Sequence, residues 1–181
     1  MIYKEKLNGK LVMLRTVELS DCNENYLRWM NDEETNRYME TRWITQTPET
    51  ILEFVSATQK SDHSILFAII ENVSGRHIGN IKIGPINKLY QYADISYFIG
   101  EKDCLNEGLA TEAVQLICEY GFETLQLHRV QAGCIEGNNA SIRVLEKAGF
   151  RVEGRQKDKF ILNGKRADHI LLGFVWGQCE V

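Results

Sequence analysis

Leu105-Asn106-Glu107-Gly108-Leu109-Ala110-Thr111-Glu112-Ala113 is a turn of small residues leading from a strand-like run, Ala93 to Gly100, into an amphipathic helix. Gly108 and Ala110 carry little bulk, so the backbone N–H groups around them stand open to a ligand. The helix that follows adds the positive end of its macrodipole, and the two together suit a phosphate. The same strand, turn and helix also serve as a plain connection, so this stretch alone leaves both readings open. Further along lies a second informative segment, Glu136-Gly137-Asn138-Asn139-Ala140-Ser141-Ile142-Arg143-Val144-Leu145-Glu146-Lys147-Ala148-Gly149-Phe150.

On either side the chain alternates strands and helices. Leu11 to Val17 reads as a first strand, and a helical stretch runs from Asp21 to Asn31 with Tyr26, Leu27 and Met30 apolar. Thr47-Pro48-Glu49 has a capping hydroxyl, a first-turn proline and an early acid, which start a helix. Ile51, Phe54 and Val55 follow it at helical spacing. Ile65-Leu66-Phe67-Ala68-Ile69-Ile70 is continuously apolar and suits a central strand covered on both faces. A loop over Asn72 to Arg76 turns it into a strand from His77 to Ile83, and another strand spans Tyr92 to Ile99. Ala113, Leu116, Ile117 and Tyr120 form one helical stripe. Leu127 to Ile135 is a strand, Asn139 to Ala148 a helix, and Phe150 begins another strand. Asn163-Gly164 is a tight hairpin into a last strand, Asp168 to Trp176. The pattern is a mixed α/β sheet. No repeat, low-complexity run or Pro/Gly-rich linker divides it, so residues 1–181 are expected to form a single domain.

With 181 residues, 44% hydrophobic and 25% charged, the chain has ordinary globular composition and can bury a sizeable core. A net charge of −4 gives no basic field for nucleic acid. No stretch approaches the ~20 apolar residues of a membrane span. Met1-Ile2-Tyr3-Lys4-Glu5-Lys6 lacks an apolar signal core, so a cytoplasmic location is expected. Cys22, Cys104, Cys118, Cys134 and Cys179 are odd in number, scattered and never spaced Cys-x-x-Cys. They read as reduced thiols, and four histidines without metal-ligand spacing predict no metal.

The chain resembles the GCN5-related N-acetyltransferases (GNAT), which use acetyl-CoA. Within them it is most similar to the branch of ribosomal-protein N-terminal acetyltransferases and their small-molecule relatives. Three places carry the resemblance: the strand Ala93-Asp94-Ile95-Ser96-Tyr97-Phe98-Ile99-Gly100, the Gly108-Leu109-Ala110-Thr111-Glu112-Ala113 turn, and the helix with Asn138, Ser141 and Glu146-Lys147-Ala148-Gly149-Phe150. It extends from about Leu11 to Trp176. It implies a single-domain fold with a mostly antiparallel, twisted central sheet of about seven strands. Helices flank that sheet, and its strands splay at the acetyl-CoA site. Acetyl-CoA is the implied cosubstrate and an amine the implied acceptor, and a homodimer is left open.

On this resemblance the N–H groups of Asn106, Glu107, Gly108, Leu109, Ala110 and Thr111 cradle the pyrophosphate. The family pattern is Arg or Gln, two residues, Gly, one residue, Gly or Ala. Leu105 stands in the Arg/Gln place, which removes one side-chain contact and predicts weaker cofactor affinity. The strand Asp94 to Ile99 either pairs its open edge with the pantetheine amides or is only a buried strand. A splay between it and the strand at His128 to Ile135 opens the slot. A backbone N–H near Phe98 or Ile99 then polarises the acetyl carbonyl. Asn138 matches the asparagine that holds the pantetheine arm; it also suits a helix N-cap, and its donors and acceptor allow both. Arg143 reaches a CoA phosphate or belongs to a solvated face with Glu146 and Lys147.

The chain offers no Cys-His or Ser-His-Asp constellation, so direct transfer in a ternary complex is the simpler chemistry. Many relatives place a tyrosine acid where this chain has Leu145. Ser141 is the remaining hydroxyl, and in the branch resembled this serine serves the leaving thiolate; a first-turn structural serine is the alternative. A thiol pKa of roughly 8.5 makes a hydrogen-bond donor sufficient there. An α-amine of pKa about 7.7–8.0 is roughly a tenth free at pH 7, against about one part in two thousand for a lysine amine. Asp94 is the candidate to collect the proton through water, or else a carboxylate that only bonds within the sheet.

The acceptor cleft falls to residues 28–43, which mix aromatics with Arg28, Arg37 and Arg42 and with Asp32, Glu33, Glu34 and Glu40. Aromatics with arginines suit a nucleotide-linked amino sugar, and aromatics with carboxylates a cationic peptide N-terminus or polyamine. A packed helix with a solvated face is the third reading. The expectation is a small-molecule amine such as a nucleotide-linked amino sugar, followed by a protein N-terminal amine. Leu105 and Leu145 also fit a non-catalytic acetyl-CoA-binding module.

Overall fold

The structure, a computed structural model, describes residues 5–177; residues 1–4 of the N-terminal stretch and Cys179 lie outside the described residues. Eight strands form one sheet: β1 Lys6–Asn8, β2 Val12–Thr16, β3 Ile65–Glu71, β4 His77–Asn87, β5 Tyr92–Ile99, β6 Arg129–Ile135, β7 Arg151–Leu162 and β8 Lys165–Val175. Their order is β1-β2-β3-β4-β5-β6-β8-β7. Every neighbouring pair is antiparallel except β5 with β6. Parallel neighbours need a crossover. Here it contains the helix labelled α4, Leu109–Glu119, one of five α-helices among the described residues. The others are α1 Glu24–Asn31, the single turn α2 Glu33–Asn36, α3 Pro48–Lys60 and α5 Asn139–Lys147.

The apolar run in β3 is central and covered on both sides, as its sequence predicts. Ile65, Phe67 and Ile69 join one core with Ala113, Val114 and Ile117 of α4 and Leu145 of α5. Leu66, Ala68 and Ile70 join a second core with Tyr26 and Trp29 of α1 and Ile51 and Val55 of α3. Each large apolar side chain so buried contributes roughly 1.5–3 kcal/mol. The helices thus fall into two layers, α4 and α5 on one face of the sheet and α1 and α3 on the other.

Three expectations are corrected. The sheet has eight strands, because Lys6-Leu7-Asn8 pairs with β2 in the register Lys6↔Arg15. The helix expected from Asp21 is a short 3-10 turn at Leu19–Asp21 followed by α1, which Asn23 caps by accepting from the N–H groups of Asn25 and Tyr26. Asp21 closes that 3-10 turn, its carboxylate accepting from the Glu18 N–H at 2.8 Å and from the Arg15 guanidinium at 2.7 Å on each oxygen. The strand expected to end at Ile83 continues to Asn87 through an irregularity between Ile83 and Ile86.

Candidate active site

β5 and β6 pair at three positions only, Tyr92↔Arg129, Ala93↔Val130 and Asp94↔Gln131. Beyond these the strands part, and β5 runs on to Ile99 and β6 to Ile135 without a shared ladder. Strand alternation sorts the side chains around this gap. Ala93, Ile95, Val130, Ala132, Cys134, Ile170 and Leu172 belong to the core under α4 and α5, with Tyr97 and Ile99 packed against it. Asp94, Gln131 and His169 therefore point to the opposite face. The gap has two chemically distinct sides.

The main chain of β5 presents a donor to the gap. Gly100 N–H donates to Ile78 O on β4 at 2.7 Å, and a side chain at Gly79 would collide with the Phe98 carbonyl. The polar groups of Phe98 and Gly100 thus face β4, and by alternation the N–H of Ile99 faces the gap. Of the two residues named from sequence, Ile99 has the placed amide. The Phe98 ring instead packs with Tyr26 and Trp29 at centroid distances of 6.2 and 6.1 Å.

Past the end of β5 comes the glycine turn. Gly108 has φ +81° and is the N-cap of α4, where a Cβ would be strained. Asn106 is also left-handed at φ +66°, a conformation asparagine tolerates. The other four α-helices have an N-cap side chain, Asn23, Asp32, Thr47 or Asn138, that accepts from a first-turn N–H; Gly108 has none. An α-helix gives its first N–H groups no internal partner, so those of Leu109, Ala110 and Thr111 stand open. Leu105 is 43% exposed beside them. Glu112, in the same motif, has a role the sequence did not disclose. Its carboxylate accepts from the N–H groups of Lys10 at 2.9 Å, Leu11 at 2.6 Å and Val12 at 2.7 Å, and so ties the β1–β2 turn to α4.

On the α4/α5 side of the gap, Asn138 Oδ1 accepts from Ser141 N–H at 3.3 Å, which makes it a cap and leaves its amide donors free. Ser141 Oγ lies 2.9 Å from the Tyr97 hydroxyl and 3.4 Å from Cys134 Sγ. Burial pushes both Tyr97 and Cys134 up from their ordinary pKa, so both keep their protons at neutral pH. Leu145 is wholly buried. Arg143 is exposed on the solvent side of α5.

On the opposite side, Asp94 Oδ1 accepts from the Gln131 amide at 3.1 Å. The His169 ring lies over Gly133, where any side chain would strike it. Its Nδ1 is 3.1 Å from Gln156 Oε1 and 3.0 Å from Lys159 Nζ. Burial and then the Lys159 charge lower its pKa, so the ring is mostly neutral at pH 7. Sequence reasoning missed Tyr97, on the α4/α5 side of the gap, and Gln131 and His169, on the opposite side, although strand alternation assigns each its face.

Residues 28–43 close over this face. The Tyr38 hydroxyl donates to Gly137 O at 3.0 Å, and Arg42 donates to Met39 O at 2.6 Å and to Ile161 O at 2.8 Å. Arg28 pairs with Glu101 at 2.6 Å, and Lys102 takes both Asp32 and Glu34, at 3.1 and 2.7 Å. Much of the segment's charge is thus committed to holding it in place. Among the described residues no group of three or more His, Cys, Asp or Glu side chains is placed to hold a metal ion.

An uncapped helix start and a strand edge left unpaired beyond Asp94 are both main-chain surfaces in need of a partner. The first fits a diphosphate and the second an amide-bearing arm, which together describe coenzyme A. This is the frame of an acetyl-CoA-dependent N-acetyltransferase. The acetyltransferase (GNAT) domain model matches residues 12–151, and the chain belongs to that family. It is 33% identical over 176 residues to a protein named probable N-acetyltransferase YjcK of Bacillus subtilis, covering 93% of this chain and 96% of that one. It is 28% identical to the spermidine N(1)-acetyltransferase of Escherichia coli K12 over 156 residues, 85% of this chain and 80% of that one. Its fold is similar to that of Mycobacterium smegmatis RimJ, solved with CoA-disulfide, at a TM-score of 0.83 and 22% identity, covering 99% of this chain and 91% of that one.

Proposed function

We propose that the protein transfers the acetyl group of acetyl-CoA directly to the primary amine of a small molecule, the two substrates meeting in the gap between β5 and β6. The observation that carries this is the sorting of groups around the gap, hydroxyls under α5 and the Asp94 carboxylate on the opposite face. In this reading the N–H groups from Asn106 to Thr111 hold the diphosphate, with Arg143 within reach of another phosphate. Asn138 amide donors hold the pantetheine arm, and the Ile99 N–H polarises the acetyl carbonyl. The amine nitrogen bonds to the acetyl carbon, the carbon–sulfur bond breaks, and the thiolate departs beside the Ser141 hydroxyl. Asp94, five residues along β5 from Ile99 and so about 16 Å away, takes the amine proton through a chain of waters. A single reduced-thiol compartment, the cytoplasm, suits the four free cysteines of the described residues.

A small acceptor is favoured because Tyr38 and Arg42 strap residues 38–42 to the turn at Gly137 and to β7. A peptide threading this face would have to break those bonds. Arg28 and Arg42 are engaged within the protein, so an amino-sugar nucleotide would rely on Arg37, whose guanidinium lies 5.4 Å from the Tyr38 ring centroid. The test is an acceptor screen by thiol release with amino-sugar nucleotides, polyamines and peptides with free N-termini. Turnover with a small amine supports the proposal, turnover with peptides alone replaces it with N-terminal acetylation, and CoA binding without turnover makes the protein a binding module.

Two substitutions test individual roles. Asp94→Asn keeps an acceptor for Gln131 and removes the charge; it is expected to lower kcat about 100-fold at pH 7. The deficit should shrink as pH rises toward the amine's own pKa, where less proton removal is needed. A pH–rate profile parallel to that of the wild type would exclude Asp94. Leu105→Arg puts a cation at the place where the family has Arg or Gln, and should tighten acetyl-CoA about fivefold at low salt, an effect that fades as salt rises. An unchanged Kd in calorimetry would show that position 105 lies out of reach.

A further inference from the structure

Ser141 Oγ has two donors against it. The Tyr97 hydroxyl is 2.9 Å away and Cys134 Sγ, a thiol donor, 3.4 Å. A serine hydroxyl has two acceptor lone pairs and one proton of its own. If Tyr97 and Cys134 fill the lone pairs, the proton has to seek a third partner. The Ser141 N–H is already held by Asn138 at 3.3 Å, so the residue's backbone is anchored as well. Tyr97 has a choice, because its hydroxyl also lies 3.1 Å from Ser141 O. With its proton on that carbonyl it accepts from Ser141 Oγ; with its proton on Oγ it sends the serine proton outward.

We propose that Tyr97, assisted by Cys134, is a positioning residue that aims the Ser141 proton into the gap between β5 and β6, toward the departing sulfur. This rests on the reading of Ser141 given above. Negative charge growing on the sulfur selects the Tyr97 rotamer that donates to Oγ, and the chain of hydrogen bonds strengthens as it does. No proton leaves Tyr97, and the thiolate is later protonated by solvent. The phenol that relatives carry at the position of Leu145 is thus replaced by one on β5, acting at one remove. Leu145 itself is fully buried and takes no part.

The experiment is a double-mutant cycle on kcat and on KM for acetyl-CoA, with the fastest amine from the acceptor screen. Tyr97→Phe should lower kcat five- to tenfold with KM changed by less than twofold, and Ser141→Ala should lower kcat at least as much. Adding Tyr97→Phe to Ser141→Ala should lower kcat no further. Cys134→Ala provides a second arm, lowering kcat two- to threefold in the wild type and not at all beside Ser141→Ala. Multiplicative losses, or full activity in Tyr97→Phe, overturn the inference and leave the Ser141 reading standing. Full activity in Ser141→Ala overturns both.

Discussion

Gly108→Val is expected to weaken acetyl-CoA binding about 100-fold, the largest loss of affinity from any single change outside the reacting groups. The N-cap of α4 sits at φ +81°, and a side chain there costs roughly 1–2 kcal/mol, more for a β-branched one. Space is not the issue, since the nearest atom to a Cβ at this site is Leu11 Cδ1 at 3.7 Å. The backbone therefore relieves the strain by rotating, and the N–H groups of Gly108, Leu109 and Ala110 turn away from the phosphates they would bind. Some strain remains and should lower Tm by about 3–8 °C. Titration calorimetry gives the Kd, and an affinity equal to that of the wild type would mean the diphosphate binds elsewhere.

Glu112→Ala is expected to cause the largest loss of stability, about 3 kcal/mol. One carboxylate accepts from three consecutive N–H groups, and hydrogen bonds to a charged group contribute roughly 1.5–3 kcal/mol each before discounting for solvent. For a chain of this size that is a fall in Tm of roughly 6–12 °C. Glu112→Gln keeps one acceptor oxygen and should fall between the two. The loss should be local first, with faster amide exchange at residues 10–12 and in the first turn of α4. A drop in Tm of less than 2 °C for the alanine variant, roughly half a kcal/mol, would show that the clasp contributes little.

The parts of the site encoded locally were readable. Gly108 and Ala110 announce an open turn, Asn138 suits a helix cap, and the apolar run of β3 suits a strand covered on both faces. The parts that depend on which strands become neighbours were not. β8 inserts between β6 and β7, out of chain order, and only this brings His169 over Gly133. Tyr97 and Ser141 are 44 residues apart, and Glu112 and Lys10 are 102 apart, so no window of sequence shows either pair. β1 escaped because three residues carry no period, and the helix expected from Asp21 starts later because Asn23 caps α1. The proposed amine cleft is not encoded locally either, since Tyr38 and Arg42 join residues 38–42 to Gly137 and Ile161.

The most direct test is an acetyl-CoA titration followed in amide 1H–15N spectra of the wild-type protein. The account predicts the largest shifts at Gly108, Leu109, Ala110 and Thr111, together with Tyr97 and Ile99 on the open edge of β5. If those amides stayed in place while a different surface responded, neither the diphosphate cradle nor the arm would lie where the fold positions them.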